Sequence, residues 1–348
     1  LNGISRVHVW SYRSLLDKLP DKTWLIKHNS FLLEKSIIHQ IFWQIFLFRS
    51  EFNRAKCDIL LNTDAGTMSR IAPAVTMSRD MLSYEPGEIS RYGVSLSRLR
   101  LLILRYIQSA SLKRADGAVF LTKYAAKIIQ KHCGELSNIK LIPHGIGEHF
   151  RQKKIKNITQ KTNRKLTLLY VSNTDYYKHQ WHVVSAAELL WKKGYKFKLR
   201  LVGGGHGPVQ KRLENQIKKS DPQSEFVELK SYVPYEDIPK EHADADIFVF
   251  ASSCENMPNT LIEAMAAGMP IVCSNRGPMP EVLKDGGIYF DPENFDSIAN
   301  AIEQLFENKS LRDKLAKKAE LLSRRYSWKK CANETWTFLK KTHALLSE

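Results

Sequence analysis

Residues Ala251 to Pro270, which read ASSCENMPNTLIEAMAAGMP, indicate the fold most clearly. This stretch continues the short apolar run Ile247–Ala251, which is typical of a buried strand. Asn259 stands where a helix N-cap belongs, and the helix formers Thr260–Ala267 are closed by a glycine and a proline. The sequence therefore predicts a strand, a polar loop and a short helix in succession.

Strands and helices alternate on both sides of this stretch. The strands predicted in the second half are Leu166–Ser172, Phe197–Val202, Phe226–Leu229, Ile247–Ala251, Pro270–Ser274 and Ile288–Phe290. The helices predicted between them are His179–Lys193, Val209–Ser220, Tyr235–Ala243, Thr260–Ala267 and Met279–Lys284. Such alternation with short links indicates a parallel sheet covered on both faces.

The first half repeats this pattern less regularly. Its predicted strands are Val7–Trp10, Ile59–Asn62, Ala74–Met77, Ala118–Leu121 and Ile139–Ile142. At roughly 150 residues per domain, 348 residues suggest two domains. We therefore expect two doubly wound α/β domains, joined by the polar, lysine-rich segment Phe150–Lys161.

Composition and charge narrow the functional classes. Five scattered cysteines without a Cys-x-x-Cys pair disfavour a disulfide framework or a zinc site and favour a reducing compartment. The net charge is +17, and residues 1–160 hold 25 Lys and Arg against 12 Asp and Glu. Such a basic half suits nucleic acid, anionic lipid or a phosphorylated substrate as a partner, and a solvated basic face without a partner is an equal alternative. No nucleic-acid-binding motif is present, so nucleic acid is the least favoured of these partners.

The most apolar stretch is Ser36–Phe48, SIIHQIFWQIFLF. It is too short to span a bilayer, and Gln40 and Gln44 lie one helical turn apart, which gives a helix one polar face. This pattern fits a core or interdomain helix, the interpretation favoured here, or a helix that lies on lipid.

The predicted helix after Pro258 offers a phosphate site. The free amides of Thr260, Leu261 and Ile262 are expected to point out of its start, where the helix dipole also favours an anion. Glu255 and Glu263 are predicted to face the crevice at the carboxyl ends of the strands. Because carboxylates accept hydrogen bonds from hydroxyl groups, the pattern suggests a ligand with a sugar, a diphosphate and a ribose.

Two shorter motifs are weaker indications of a binding site. The loop Gly203–Pro208, GGGHGP, has a proline where a dinucleotide fingerprint needs its third glycine, and is interpreted as a strand-end turn close to a nucleotide. Asp244-Ala245-Asp246 resembles a metal-binding Asp-x-Asp, but it precedes a buried strand, so we expect a structural role.

Glu255 and Glu263 match the Glu-x7-Glu motif of the family 4 retaining glycosyltransferases. The run LIEAMAAGMPIVCSNRGPMPEVLKDGGIYFDPEN resembles that family's donor-domain signature, and IPHGIGEHF at Ile142–Phe150 resembles the end of its first domain. The resemblance implies the GT-B fold of two facing Rossmann-like domains, with a C-terminal helix after Tyr326–Trp328 crossing back to the first. The implied domains are residues 1–152, 153–328 and 329–348.

The resemblance also implies a role for individual residues. Glu255 would bind the transferred sugar, and Lys178 would hold the diphosphate and stabilise its charge as it leaves. Asn173 stands where the family usually has an arginine. The implied donor-binding residues are Glu263, Met257, Pro258, Asn259, Thr260, Leu261, Gly203 and Asn173.

The activity implied is transfer of a hexose from a nucleoside-diphosphate sugar to a lipid-linked or glycan hydroxyl, as in bacterial surface polysaccharide biosynthesis. Neither a cofactor nor a metal is expected. The implied location is the cytoplasm, with an anionic membrane surface at the inner face as a partner.

Two departures from the family keep alternatives open. The family's first strand and glycine-rich loop have no counterpart before Gly3-Ile4, so we expect the chain to begin inside the first domain. With Asn173, this suggests a non-catalytic partner subunit of a polysaccharide assembly complex. A sugar-nucleotide 2-epimerase, which shares the fold, is the other alternative.

Overall fold

The computed structural model describes residues 3–151 and 165–347 of the chain. The predicted linker Phe150–Lys161 lies outside the described residues from position 152 onward. The strands are β1 Val7–Trp10, β2 Leu25–His28, β3 Leu60–Asn62, β4 Ala74–Met77, β5 Gly117–Phe120, β6 Ile139–Leu141, β7 Leu166–Asn173, β8 Phe197–Gly204, β9 Val227–Lys230, β10 Ile247–Phe250, β11 Ile271–Ser274 and β12 Ile288–Phe290.

The helices alternate with the strands along the chain. They are α1 Arg13–Leu16, α2 Ile37–Phe42, α3 Phe48–Arg54, α4 Leu96–Arg114, α5 Lys123–Cys133, α6 Gln180–Lys192, α7 Gly207–Ser220, α8 Ile238–Asp244, α9 Asn259–Ala266, α10 Met279–Leu283, α11 Phe295–Glu307, α12 Lys309–Ser323 and α13 Trp328–Ser347. A π-helical turn, Trp43–Leu47, joins α2 to α3.

Each half of the chain builds its own parallel sheet. The first has the order β3-β4-β5-β6, and the second has the order β12-β11-β10-β7-β8-β9. All neighbouring strands in both sheets run parallel. Strands β10 and β11 are buried along their whole length, and all their residues except the final Ser274 are apolar, as expected of strands covered on both faces. The predicted α/β class with two Rossmann-like sheets is confirmed.

A third, two-stranded sheet precedes these domains. Strands β1 and β2 pair in parallel, with Val7 opposite Leu25 and Trp10 opposite His28. Strand β1 was predicted from the sequence, but β2 was not, because its four residues, LIKH, are all half-buried and show no alternation of apolar and polar residues.

The C-terminal helix α13 packs on the first domain. Phe338 lies so close to β5 that a Cβ on Gly117 would come within 3.0 Å of its ring. The Asn138 amide donates to Thr342 Oγ1 at 3.1 Å. Near the start of α13, a side chain on Gly145 would meet the Trp328 nitrogen at 2.0 Å, so only glycine fits there. The final helix therefore connects the second domain back to the first.

The apolar segment Ser36–Phe48 lies on the surface. Trp43 and Phe48 are buried, but Ile38, Phe42 and Phe46 are exposed. The prediction of a core or interdomain helix is therefore wrong for most of these side chains, because only one narrow face of the segment meets the domain. Among the residues that the structure describes, no helix is long and apolar enough to cross a membrane.

Candidate active site

The candidate site lies where the carboxyl ends of both sheets meet. The loop after β4 accepts hydrogen bonds from the second domain, since the Asn256 amide donates to the Asp80 carbonyl at 3.1 Å. In the loop after β5, Thr122 Oγ1 donates a hydrogen bond to the Asn256 carbonyl at 3.0 Å. Ligands of doubly wound sheets bind at this edge.

Lys178 and Glu255 form an ion pair at the centre of this edge. Lys178 ends the 3-10 turn after β7, and Glu255 lies in the loop after the adjacent strand β10. Their atoms Nζ and Oε1 are 2.5 Å apart, and the side chains are only 9% and 15% exposed. Tyr170 Oη donates to the Lys178 carbonyl at 2.7 Å and fixes the turn. The two sequence-predicted residues are thus brought into direct contact.

Glu263 is buried beneath Tyr235. Its side chain is on the second turn of α9, and the residue is 7% exposed. Tyr235 Oη donates to Glu263 Oε1 at 3.3 Å. Burial raises the pKa of Glu263 to about 7, and the hydrogen bond from Tyr235 opposes this shift. A carboxyl group that gains or loses its proton near neutral pH is therefore held next to the predicted nucleotide side.

The start of α9 differs from the prediction in two ways. The helix begins at Asn259 after Pro258, and no side chain caps it. The prediction that Asn259 is the N-cap is therefore wrong, because its Oδ1 lies 3.2 Å from His144 Nδ1 of the first domain. The Pro258 carbonyl accepts from the amides of both Leu261 and Ile262, at 3.1 Å each.

Those two amides are therefore not free, contrary to the prediction. Within residues 3–151 and 165–347, no hydrogen bond reaches the Thr260 amide, so of the three predicted donors only this one is left for a ligand. Asn259 is exposed and Thr260 half-exposed, on the side that faces the first domain.

The remaining predicted donor-binding residues surround this point. Met257 and Leu261 are buried, at 5% and 0% exposure, so their side chains belong to the core. Pro258 is also buried and supplies the carbonyl described above. Asn173 is exposed at the end of β7, where its neighbour on β8 is Gly204.

The glycine loop after β8 is shaped by its close contact with β7. Gly203 has φ +132°, and an added Cβ would meet the Ser172 carbonyl oxygen at 2.0 Å. The Thr174 amide donates to the Gly204 carbonyl at 3.0 Å. The loop is thus a tight strand-end turn beside Asn173, as interpreted from the sequence.

A chain of buried polar side chains crosses the domain interface and was not predicted from the sequence. Glu88 of the first domain accepts from Ser253 Oγ at 2.6 Å, and Ser253 Oγ lies 2.8 Å from His179 Nε2. Burial lowers the pKa of His179 to about 3, so its ring is neutral. His179 directly follows Lys178, so this chain holds both the lysine turn and the loop of Glu255 against the first domain.

The α5 helix of the first domain also meets the second. Glu281 of α10 accepts from the backbone amides of Lys123 and Tyr124, at 2.9 Å each. A carboxylate at a helix start is favoured by the helix dipole. This N-terminus is therefore occupied by protein and not by a ligand.

The Asp-x-Asp motif has the structural role expected of it. Asp246 Oδ2 accepts from the Thr167 amide at 2.9 Å and ties β10 to β7. Across the described part of the chain, no group of three His, Cys, Asp or Glu side chains is placed to hold a metal ion.

Comparison with known proteins finds similarity to glycosyltransferases in the second half of the chain. Residues 151–322 match the sequence model of the family described as Glycosyl transferases group 1. O-antigen chain mannosyltransferase B of Escherichia coli is 34% identical over 110 residues, which are 32% of this chain and 29% of that protein. The chain spans 29%, 43% and 50% of the length of the first three curated relatives that it matches.

Solved structures agree with the fold along the whole chain. A glycosyltransferase from Rickettsia africae ESF-5 superposes with a TM-score of 0.71 at 17% identity, covering 96% of this chain and 89% of that one. Anabaena Alr3699/HepE in complex with UDP and glucose superposes with a TM-score of 0.70 at 18% identity, covering 100% and 93%. The predicted GT-B fold is confirmed.

Proposed function

We propose that this chain, whose residues 151–322 match the sequence model of the group 1 glycosyl transferases, transfers a hexose from a nucleoside-diphosphate sugar to a hydroxyl acceptor. The observation that carries the proposal is the Lys178–Glu255 pair, held 2.5 Å apart at the edge where the two domains meet. A cation and a carboxylate in contact match a donor that has an anionic diphosphate joined to a polyhydroxylated sugar.

The donor would bind on the second domain. Lys178 would turn from Glu255 to the diphosphate, and the Thr260 amide would donate to a phosphate oxygen. Glu263 would accept from ribose hydroxyls, and Glu255 from hydroxyls of the sugar. Gly203 and Asn173 would line the nucleotide side.

Charge stabilisation would supply the catalysis. Lys178 is 9% exposed, so its charge acts with little screening on the negative charge that builds on the leaving diphosphate. The sugar would pass through an oxocarbenium-like state, with departure and attack on the same face, so that the anomeric configuration is retained. No step of this proposal requires a metal ion.

The acceptor we propose is a lipid-linked or glycan hydroxyl in surface polysaccharide synthesis at the cytoplasmic face of a membrane. The mannosyltransferase relative acts, by its name, on O-antigen chains. The excess of Lys and Arg in residues 1–160 suits an acceptor that carries phosphate.

Acceptor-dependent release of nucleoside diphosphate tests the proposal. UDP-, GDP- and ADP-sugars are first screened for thermal stabilisation, since a ligand that binds only the folded state raises its melting temperature. Glu255→Ala and Lys178→Ala are each expected to abolish release with the stabilising donor. Lys192→Ala, which removes an exposed lysine paired with Glu188 at 2.6 Å, is the matched control and should keep full activity.

The results also separate the two alternatives. Donor that is consumed without acceptor would indicate a 2-epimerase, and no stabilisation by any sugar nucleotide would indicate a non-catalytic subunit. Full activity of both site variants, with circular dichroism unchanged, would refute the assignment.

A further inference from the structure

Two helices of the first domain expose apolar faces that the proposed transfer chemistry does not use. On α4, the side chains of Leu96, Leu99, Ile103 and Tyr106 are 85%, 54%, 52% and 77% exposed. Their spacing places them along one face of the helix. Such a stripe normally packs against a core, but here it faces outward.

The segment formed by α2 and the π-helical turn after it shows the same arrangement. Ile38, Phe42, Ile45 and Phe46 follow the same helical spacing, and all four are exposed. Trp43, on the opposite side, is buried and donates from its indole nitrogen to Glu51 at 2.9 Å. One face of the segment is therefore packed against the first domain, and the opposite face is exposed to solvent.

The two helical segments both contact one loop, residues 63–68. Gln44 Oε1, in the π-helical turn, accepts from the Met68 amide at 2.7 Å. A Cβ on Gly66 would lie 3.6 Å from a methyl group of Leu104 on α4. We call the exposed apolar side chains of α4 and of residues 37–47 the two-helix surface.

Basic residues predominate around this surface, although the exposed Asp64 of the intervening loop and the exposed Glu34 are acidic. Helix α4 carries five basic residues and no acidic one, and none of the five forms an ion pair within the described ranges. These residues are Arg98, Arg100, Arg105, Lys113 and Arg114. Lys35 and Arg49 flank the α2 segment and are also exposed. Apolar side chains interleaved with arginine are typical of helices that lie in the interface of an anionic bilayer.

The two-helix surface adjoins the candidate active site. The loop of residues 63–68 follows the carboxyl end of β3, and the loops after β4 and β5 hold Asn256 of the second domain. Because all strands of this sheet run parallel, these loops share one edge. A membrane on the two-helix surface would therefore lie beside the opening between the domains.

We propose that the two-helix surface docks the protein on an anionic lipid bilayer. The inference deepens the proposed function, on which it rests only for the placement of a lipid-linked acceptor at the site. Charge favours a bilayer over a second copy of this chain as the partner of the two-helix surface. A second copy would bring the five positive charges of each α4 helix together, whereas anionic headgroups would neutralise them.

Vesicle co-sedimentation of the full chain tests this inference without donor or acceptor. The protein is expected to sediment with vesicles of equal parts phosphatidylcholine and phosphatidylglycerol, and far less with phosphatidylcholine alone. Phe46→Asp should lower the partition constant more than about tenfold, because it removes a large apolar side chain from the interface. Arg98→Gln and Arg100→Gln should each lower it about fivefold.

A matched control distinguishes this surface from general basicity. Lys314→Gln with Lys317→Gln removes two charges from the exposed side of α12 in the second domain and should leave partitioning unchanged. Equal losses in this control and in the arginine variants would overturn the proposal, as would wild-type binding by Phe46→Asp. A wild-type dimer in light scattering that Phe46→Asp dissociates would assign the surface to a second copy instead.

The test stands apart from that of the proposed function. If the wild-type chain transfers sugar to a soluble acceptor but does not bind vesicles, only the docking proposal is refuted. Intact vesicle binding by an inactive wild-type chain would refute the transferase alone.

Discussion

The buried carboxyl group of Glu263 makes stability depend on pH in a calculable way. Its pKa is about 7 in the folded protein, against 4.5 as the reference value for an unperturbed glutamate. The folded state therefore holds a proton that the unfolded chain releases above pH 4.5. By linkage, the free energy of unfolding falls as the pH rises from 4.5 to about 7, and then stays low. A shift of this size corresponds to about 3 kcal/mol at pH 8.

The substitution Glu263→Gln removes this dependence. Glutamine keeps the shape and can still accept from Tyr235, but it stays neutral at every pH. The variant should match wild type at pH 4.5 and exceed it by up to about 3 kcal/mol at pH 8. Urea unfolding at the two pH values measures the difference. Glu85, whose pKa burial also raises to about 7, is present in both proteins and cancels.

The exposed Glu236→Gln provides the control, because it lies near the same site and its side chain is in solvent. Its stability relative to wild type should not change between the two pH values. If the difference between Glu263→Gln and wild type is the same at pH 4.5 and pH 8, the argument that burial sets this pKa is refuted.

Three further substitutions have defined outcomes. Lys178→Ala should cost about 3–5 kcal/mol in urea unfolding, since it leaves the carboxylate of Glu255, only 15% exposed, without its ion-pair partner, and Lys178→Ala with Glu255→Ala should recover part of this. Gly203→Ala should cost more than about 1 kcal/mol and weaken nucleotide binding in calorimetry, because φ is +132° and a Cβ would clash with a carbonyl. Ser253→Ala should cost about 1–3 kcal/mol, because Glu88 loses its buried donor. Unchanged stability in any of the three would contradict the contact concerned.

The strands of the two main sheets were predictable because each is a short apolar run between polar turns. The predicted Ala74–Met77 and Ile288–Phe290 agree with the structure at both ends. The contact between Lys178 and Glu255 also follows from topology, since their loops leave adjacent parallel strands at the same edge. The fold and the contact at the centre of the candidate site could therefore be predicted from the sequence.

Tertiary contacts decided what the sequence could not show. Asn259 has the residue type of an N-cap, but its side chain reaches His144, 115 positions earlier in the chain. Glu88 and Ser253 are 165 positions apart, so no local pattern joins them. In Ser36–Phe48, helical spacing predicts an amphipathic segment but not which face the domain buries. Only the arrangement of neighbouring elements fixes such choices.

The decisive measurement is a crystal structure with the stabilising nucleoside-diphosphate sugar bound. We expect diphosphate oxygens within hydrogen-bonding distance of Lys178 Nζ and the Thr260 amide, with the ribose on Glu263 and the sugar on Glu255. A donor bound anywhere else, with Lys178 and Glu255 still paired to each other, would contradict it.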